Sequence, residues 1–269
     1  MGRRGPPPGL APTGPVVGDG AQPGHPRPHA QRRRRRERRR TDARKPFAER
    51  TRPQLPCSAV DIDDPKDVVR RGYDALSRHY EQSYATETKY QPWLGALQER
   101  IPPAATVLDL GCGCGVPVAR ALASAGHRVT GVDISGEQIR RARELVPEAE
   151  FRQADATAVE FPAASFDAVV SLYALIHLPL AEQPPLLARI ATWLRPGGWL
   201  LATTGHTAWT GANDNWLGGG ATMWWSHADA ATYRDWLTRA GLTVEGEEFV
   251  PEGDSGHALF WARRPVAGE

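Results

Sequence analysis

The chain has 269 residues, enough for one domain of ordinary size with an appendage, and its formal net charge of +2 hides a marked asymmetry. Residues 1–60 hold 15 Lys and Arg against 4 Asp and Glu, a surplus of 11, whereas the other 18 basic and 27 acidic residues leave a deficit of 9. An acidic folded part argues against a phosphate backbone as the main partner, and the sequence holds neither a run of about 18 apolar residues nor the apolar core of a secretory signal. Three cysteines make no disulfide framework, and the expected setting is cytoplasmic.

Residues 1–58 are rich in Pro, Gly and Arg, with R-R-R-R-R-E-R-R-R from Arg32 to Arg40. So few large apolar residues cannot bury enough surface to fold, and a disordered tail is expected. Three readings stay open for it. It is a solvated tail without a further role, an arm for nucleic acid or another anionic surface, or upstream sequence translated ahead of a later start near Val60. Its many prolines and glycines spoil the amphipathic helix of a transit peptide, and Cys57 suggests no chemistry.

A folded part is expected over residues 59–264. Val69, Tyr73, Leu76 and Tyr80 recur at helical intervals and predict a helix from Lys66 to Tyr84. A second helix, Thr88 to Glu99, completes an N-terminal cap over 65–100, and Ile101-Pro102-Pro103 is a stiff connector. Thr106 to Pro117 then reads T-V-L-D-L-G-C-G-C-G-V-P. The apolar run predicts a buried parallel strand that turns through Gly111, Gly113 and Gly115 into a helix, leaving the backbone open to a ligand. Asp109 sits two residues before the first glycine, where it would repel a pyrophosphate but suit an ammonium or another positive charge. The spacing G-x-G-x-G also departs from the G-x-G-x-x-G of dinucleotide sites. A glycine turn without a ligand is the plain alternative.

Val118 to Ala125 predicts a short helix stopped by Gly126, and His127 to Asp133 a second strand. Asp133, 22 residues after Gly111, can accept hydrogen bonds from both hydroxyls of a ribose, which fits an adenosine or a nicotinamide cofactor alike. Ser135 and Gln138 form a capping box for a helix from Glu137 to Leu145. A third strand over Phe151–Gln153 ends in Ala154-Asp155-Ala156, and Phe166 to Leu172 is a fourth, buried strand. A helix from Glu182 to Leu194 tolerates Pro184 and Pro185 near its first turn, and Leu194-Arg195-Pro196-Gly197-Gly198 turns the chain into strand five. The insert from Gly205 to Ser226, with Trp209, Trp216, Trp224, Trp225 and three glycines at 218–220, reads as a flexible lid over an apolar substrate; simple loop packing is the alternative. Ser226 to Asp229 resembles another capping box, opening a helix to Ala240 with Gly241 as its C-terminal cap. Strands over 242–250 and 256–264 and a short tail at 265–269 close the reading.

The ordered motifs D-L-G-C-G-C-G, A-D-A, F-D-A-V-V-S-L-Y-A-L-I-H-L and L-x-P-G-G resemble the class I S-adenosylmethionine (SAM)-dependent methyltransferases of the small-molecule type, over about Lys66 to Arg264. The resemblance implies an α/β fold, a doubly wound, seven-stranded, mostly parallel Rossmann-like sheet with a reversed last strand, and SAM as cofactor. It places Asp109, Gly111, Gly113, Gly115, Asp133, Ile134, Asp155, Ala156 and Leu172 around that cofactor. Asp133 would hold the ribose, while the Asp155 carboxylate and the Ala156 N–H would read the adenine. Tyr80 or Tyr84 would close over the methionine end, with core packing as the alternative. Ser171-Leu172-Tyr173-Ala174 stands where amino-methylating nucleic-acid enzymes carry N-P-P-Y or D-P-P-Y and cytosine enzymes a Pro-Cys pair, so neither chemistry is supported.

Methyl transfer needs positioning first and a general base only where the nucleophile arrives protonated. Histidine fits that task, and His177, His227 and His206 fall near the expected mouth; a core or capping role is the alternative for each. Cys112 and Cys114 are only two soft ligands, so no metal site is expected. The implied protein methylates an O, N or C atom of a small aromatic or apolar metabolite, as a monomer or homodimer. The alternatives are a SAM- or S-adenosylhomocysteine-binding protein without catalysis, and an adaptor that binds nucleic acid through its Arg-rich tail.

Overall fold

The computed structural model describes residues 64–84, 88–266 and 268; the tail expected over 1–58 lies outside the described residues. Helices α1 (Pro65–Tyr84) and α2 (Tyr90–Arg100) precede β1 (Thr106–Leu110), α3 (Val118–Ser124), β2 (Arg128–Asp133), α4 (Gly136–Leu145), β3 (Glu150–Gln153) and β4 (Phe166–Ser171). Two 3-10 turns, Leu175–His177 and Leu180–Glu182, lead into α5 (Gln183–Trp193). Then follow β5 (Leu194–Gly205), β6 (Trp209–Trp216), β7 (Ala221–His227), α6 (Ala230–Arg239), β8 (Thr243–Glu252) and β9 (Ser255–Arg263).

Seven strands form one sheet in the order β3-β2-β1-β4-β5-β9-β8. The first five are parallel to their neighbours, and β9 runs antiparallel to both β5 and β8. Strand alternation divides the core between two faces. Val107 joins Leu94, Leu97, Leu122 and Ile139 from α2, α3 and α4 on one side. Leu108 and Leu110 join Leu187, Ile190, Tyr233 and Leu237 from α5 and α6 on the other. A parallel strand covered on both faces needs an unbroken apolar run, which is why the only polar side chain of the run after Thr106, that of Asp109, is confined to the strand's end. Each fully buried Leu or Ile contributes about 1.5–3 kcal/mol, so the sheet is a stiff platform for the loops at its carboxyl edge.

Three local expectations are corrected. The insert after β5 is an ordered antiparallel hairpin, β6–β7, forming a separate two-stranded sheet rather than a flexible loop. Its Trp216, Met223 and Trp224 bury against Val69 and Leu76 of α1, so part of the insert's apolar surface fixes it to that helix. Gly72 allows the approach: a Cβ there would meet the Met223 side chain and the Thr222 carbonyl, both at 2.8 Å. Ser226 does not cap α6. The cap is Asp229, whose carboxylate accepts from Thr232 N at 2.8 Å, while the Ser226 hydroxyl pairs with Thr210 across the hairpin. At α4, Ser135 caps by accepting from Gln138 N, but the return half of the box is absent; Gln138 Oε1 accepts instead from Ser77 of α1.

Candidate functional site

The sharp turn after β1 sets the site. Gly111 has φ +80°, which an L side chain rarely adopts, and a Cβ there would collide with Ala174. The turn exposes Gly111, Cys112 and Gly113 to an open cavity of roughly 1100 Å³ beyond the carboxyl ends of β1, β2 and β4. Asp109, Gly111, Gly113, Asp133, Ile134, Asp155, Ala156, Leu172 and Tyr80 all line it, as does His177. Gly115 is not among the lining residues: its φ of +78° turns the chain beneath Phe151 and Val146, where a Cβ would press at 3.0–3.2 Å.

The carboxylates are held in different ways. Asp109 is 2% exposed, and its Oδ2 has no hydrogen-bond partner. Burial, then the charge of Asp133, push its pKa up to about 8, against a smaller opposing pull from the Ala119 backbone. Asp133 accepts from Gly113 N at 2.8 Å and Ser135 N at 2.9 Å, tying the glycine loop to the end of β2. Burial raises it to about 6, and those backbone N–H groups limit the rise. Asp155 is held by Lys66, whose ammonium donates to it at 2.7 Å and to Glu182 at 2.7 Å, and by Thr157. Burial alone would raise Asp155, but the bonds from Lys66 and Thr157 outweigh it and leave the pKa lowered.

Helix α1 forms the roof. Besides Lys66, its Asp74 accepts from the Ser135 hydroxyl at 2.6 Å, and Ser77 lies between Gln138 and the buried Arg141. Tyr73 contacts the histidine expected to be catalytic: Tyr73 Oη lies 3.1 Å from His177 Nε2. The carbonyl of Trp224, which can only accept, lies 2.7 Å from His177 Nδ1. This assigns the hydrogen to Nδ1 and makes Nε2 the acceptor of the Tyr73 hydroxyl. Burial holds His177 down to about 4 and pushes Tyr73 well above the usual phenol range, so both are neutral near pH 7.

The other two histidines lie outside the cavity. His206 is exposed, its ring 4.7 Å from Phe249, and half-buried His227 ends β7 against Gly205. A second cavity of about 410 Å³ shares Tyr73, Tyr80, Tyr84, Tyr90, Tyr173 and His177 with the first, and adds Lys89, Ile176, Trp216, Trp225, Glu252 and His257. His257 and Glu252 were missed from the sequence. They meet, Nε2 to Oε2, at 3.2 Å because β8 and β9 are joined by a tight turn. The one available signal was a histidine at the head of the apolar run A-L-F-W-A.

The family described as "Methyltransferase domain" matches residues 107–198, from β1 to the turn within β5. The match identifies a methyltransferase domain over that segment, about a third of the chain. The chain is similar to a 2-methyl-6-phytyl-1,4-hydroquinone methyltransferase of Synechocystis, 39% identical over 106 residues, which cover 38% of this chain and 33% of that one. It is also similar to a 27-O-demethylrifamycin SV methyltransferase of Amycolatopsis mediterranei, 38% identical over 98 residues, covering 34% and 35%. The matched part thus spans about a third of either relative's length. Among solved structures, the fold resembles the Burkholderia thailandensis 1,6-didemethyltoxoflavin-N1-methyltransferase, with TM-score 0.61, 21% identity, and coverage of 74% and 88%. The family match ends before the hairpin and leaves out α1, which are the elements that shape the second cavity.

Proposed function

We propose that this protein transfers a methyl group from SAM to an O, N or C atom of a small aromatic or apolar acceptor. The observation that carries the reading is the unpartnered, buried Asp109 oxygen beside the glycine turn. A carboxylate left without a donor is costly unless a cation meets it, and the methionine portion of SAM brings an ammonium and a sulfonium. The other donors fit the same group. Asp133 retains lone pairs toward a ribose, and the Ala156 N–H is available in type for an adenine ring. Asp155 reads an adenine amino group by sharing its carboxylate with Lys66. Tyr80 and Tyr84, 4.9 Å apart by ring centroids, line the same cavity and would close over the methionine end.

When bound, SAM supplies a methyl activated by a positive sulfur for in-line attack. The chain's own part is to orient and to exclude water, through the α1 roof and the aromatic walls. His177 serves as a positioning residue that holds Tyr73, since both of its ring nitrogens are engaged. The names of the relatives, which act on a hydroquinone, a rifamycin and a toxoflavin precursor, support a small cyclic acceptor. No described helix is long and apolar enough to cross a membrane. A cytoplasmic monomer or homodimer suits this reading.

Calorimetry of SAM binding to the full chain tests it, beside an Asp133→Ala variant. Micromolar binding is expected, weakened about 100-fold in the variant by loss of two charge-assisted bonds, with folding checked by melting. Absence of binding by the folded wild type would refute the proposal and favour a nicotinamide cofactor, to be tested in the same instrument.

A further inference from the structure

The second cavity says more about the acceptor. Its walls are aromatic: Tyr73 and Tyr80 stand 5.2 and 5.7 Å from Trp216, and Trp225 lies 5.6 Å from His177. Its ionic groups are few, one carboxylate (Glu252) set against one ammonium (Lys89) and one imidazole (His257). The Lys89 ammonium lies 4.6 Å from the Tyr173 ring and 5.5 Å from that of Tyr90, and both tyrosines line the two cavities. The Lys89 ammonium therefore faces tyrosines that border both cavities, beside the place a methyl-receiving atom must occupy, and its charge also helps to hold Glu252 down.

The same junction has little capacity to take a proton. His177 Nε2 is occupied by the Tyr73 hydroxyl and Nδ1 by the Trp224 carbonyl. Glu252 is held below the usual carboxylate range, first by its hydrogen bond to His257. Among the described residues a neutral alcohol would meet here only imidazoles whose nitrogens are already engaged, those of His177 and His257, and the weakly basic Glu252 carboxylate, whereas an ionised oxygen would need no base.

We propose that the acceptor is a flat aromatic compound whose methyl-receiving oxygen is already ionised, a carboxylate or an acidic phenolate, drawn to the junction by Lys89. The proposal rests on the methyl-transfer reading above. In the step it implies, the acceptor oxygen forms a C–O bond to the methyl carbon as the C–S bond breaks. The electron pair of that bond stays on sulfur, and no proton leaves the acceptor. Lys89 and the aromatic walls supply charge and shape; neither enters the covalent change.

The test is direct binding, free of turnover. Naphthoate, naphthamide and naphthylmethylammonium are titrated into the full chain saturated with S-adenosylhomocysteine, read by tryptophan fluorescence and calorimetry. Naphthoate should bind about tenfold or more tightly than the other two, the scale of one charge-assisted contact. Lys89→Met should bring acid and amide within about threefold, and Lys89→Arg should restore the preference. S-adenosylhomocysteine affinity should be unchanged in both variants, since Lys89 does not line the first cavity. Equal or better binding of the amide or the amine, survival of the preference in Lys89→Met, or failure of all three probes to bind would overturn the proposal. Failure of S-adenosylhomocysteine itself to bind would overturn the methyl-transfer reading and this inference with it.

Discussion

Asp109→Asn gives the sharpest test of what the glycine turn is for. In the free protein the carboxyl has its pKa raised to about 8, by burial first and by Asp133 second, so it holds a proton at neutral pH. A cation bound against it needs the ionised form, and apparent affinity scales with the fraction in that form. With a pKa of about 8, roughly 1% of the protein is ionised at pH 6 and about 24% at pH 7.5. SAM affinity should therefore rise about 20-fold between those values, a window in which the ligand's own amino group stays largely protonated. Binding at pH 7 should release about 0.9 proton per site, measured by calorimetry in buffers of different ionisation enthalpy. Asp109→Asn resembles the protonated residue in shape and cannot ionise, so its affinity should be weak and vary less than about twofold over the same range. A wild-type affinity that is flat with pH, with no proton released, would refute the argument; Asp109 would then be ionised throughout or not in contact with the ligand.

The same carboxyl makes a statement about stability. Its folded pKa lies above the unfolded one, so its contribution is full below about pH 4 and is lost as pH rises toward 8; Asp109→Asn should melt higher than wild type at pH 8, with the gap closing toward acid. His177 runs the other way. Its folded pKa, about 4, lies below the ordinary value of 6.5, so its contribution is present above about pH 6.5 and is lost as pH falls through 4. Because Asp109 gains stability over the same interval, the His177 share of about 3 kcal/mol is read as a difference: the stability of wild type relative to His177→Gln should fall by about that much from pH 6.5 to 4 in denaturant titrations, the variant costing about 1–3 kcal/mol at pH 7 from the unpaired Tyr73 and Trp224 groups. Gly131→Ala should destabilise by about 1–3 kcal/mol, because its Cβ would meet Phe151 at 2.6 Å and Cys112 Sγ at 2.9 Å; an unchanged melting temperature would refute this packing.

What could be read from the sequence was whatever a few adjacent residues decide. Val107 to Gly115 encodes a buried strand and a left-handed turn through its own periodicity and its glycines, and the sheet that follows from it is the one observed. Contacts between distant elements were not encoded locally, and there the reading lost ground. Ser135 announced its cap, but its return partner Gln138 was claimed by Ser77, 61 positions away. Asp155 was legible as a carboxylate at a strand end, yet nothing near it announced Lys66, 89 residues earlier on α1. The segment Trp209–His227 was misread because W-T-G-A-N-D-N-W lacks the alternation of a half-buried strand. Its burial comes from tryptophans and a methionine set against α1, a partner that no local pattern can name. His257 stood unremarked for the same reason. It meets Glu252 and the Thr204 carbonyl only because β9 is reversed between β5 and β8. The cofactor end of the site is therefore written in short motifs that a sequence displays, whereas the acceptor end is assembled by α1, the hairpin and the last two strands. Those are the elements the matched family segment does not cover, so the choice of acceptor has to be argued from the cavity they enclose.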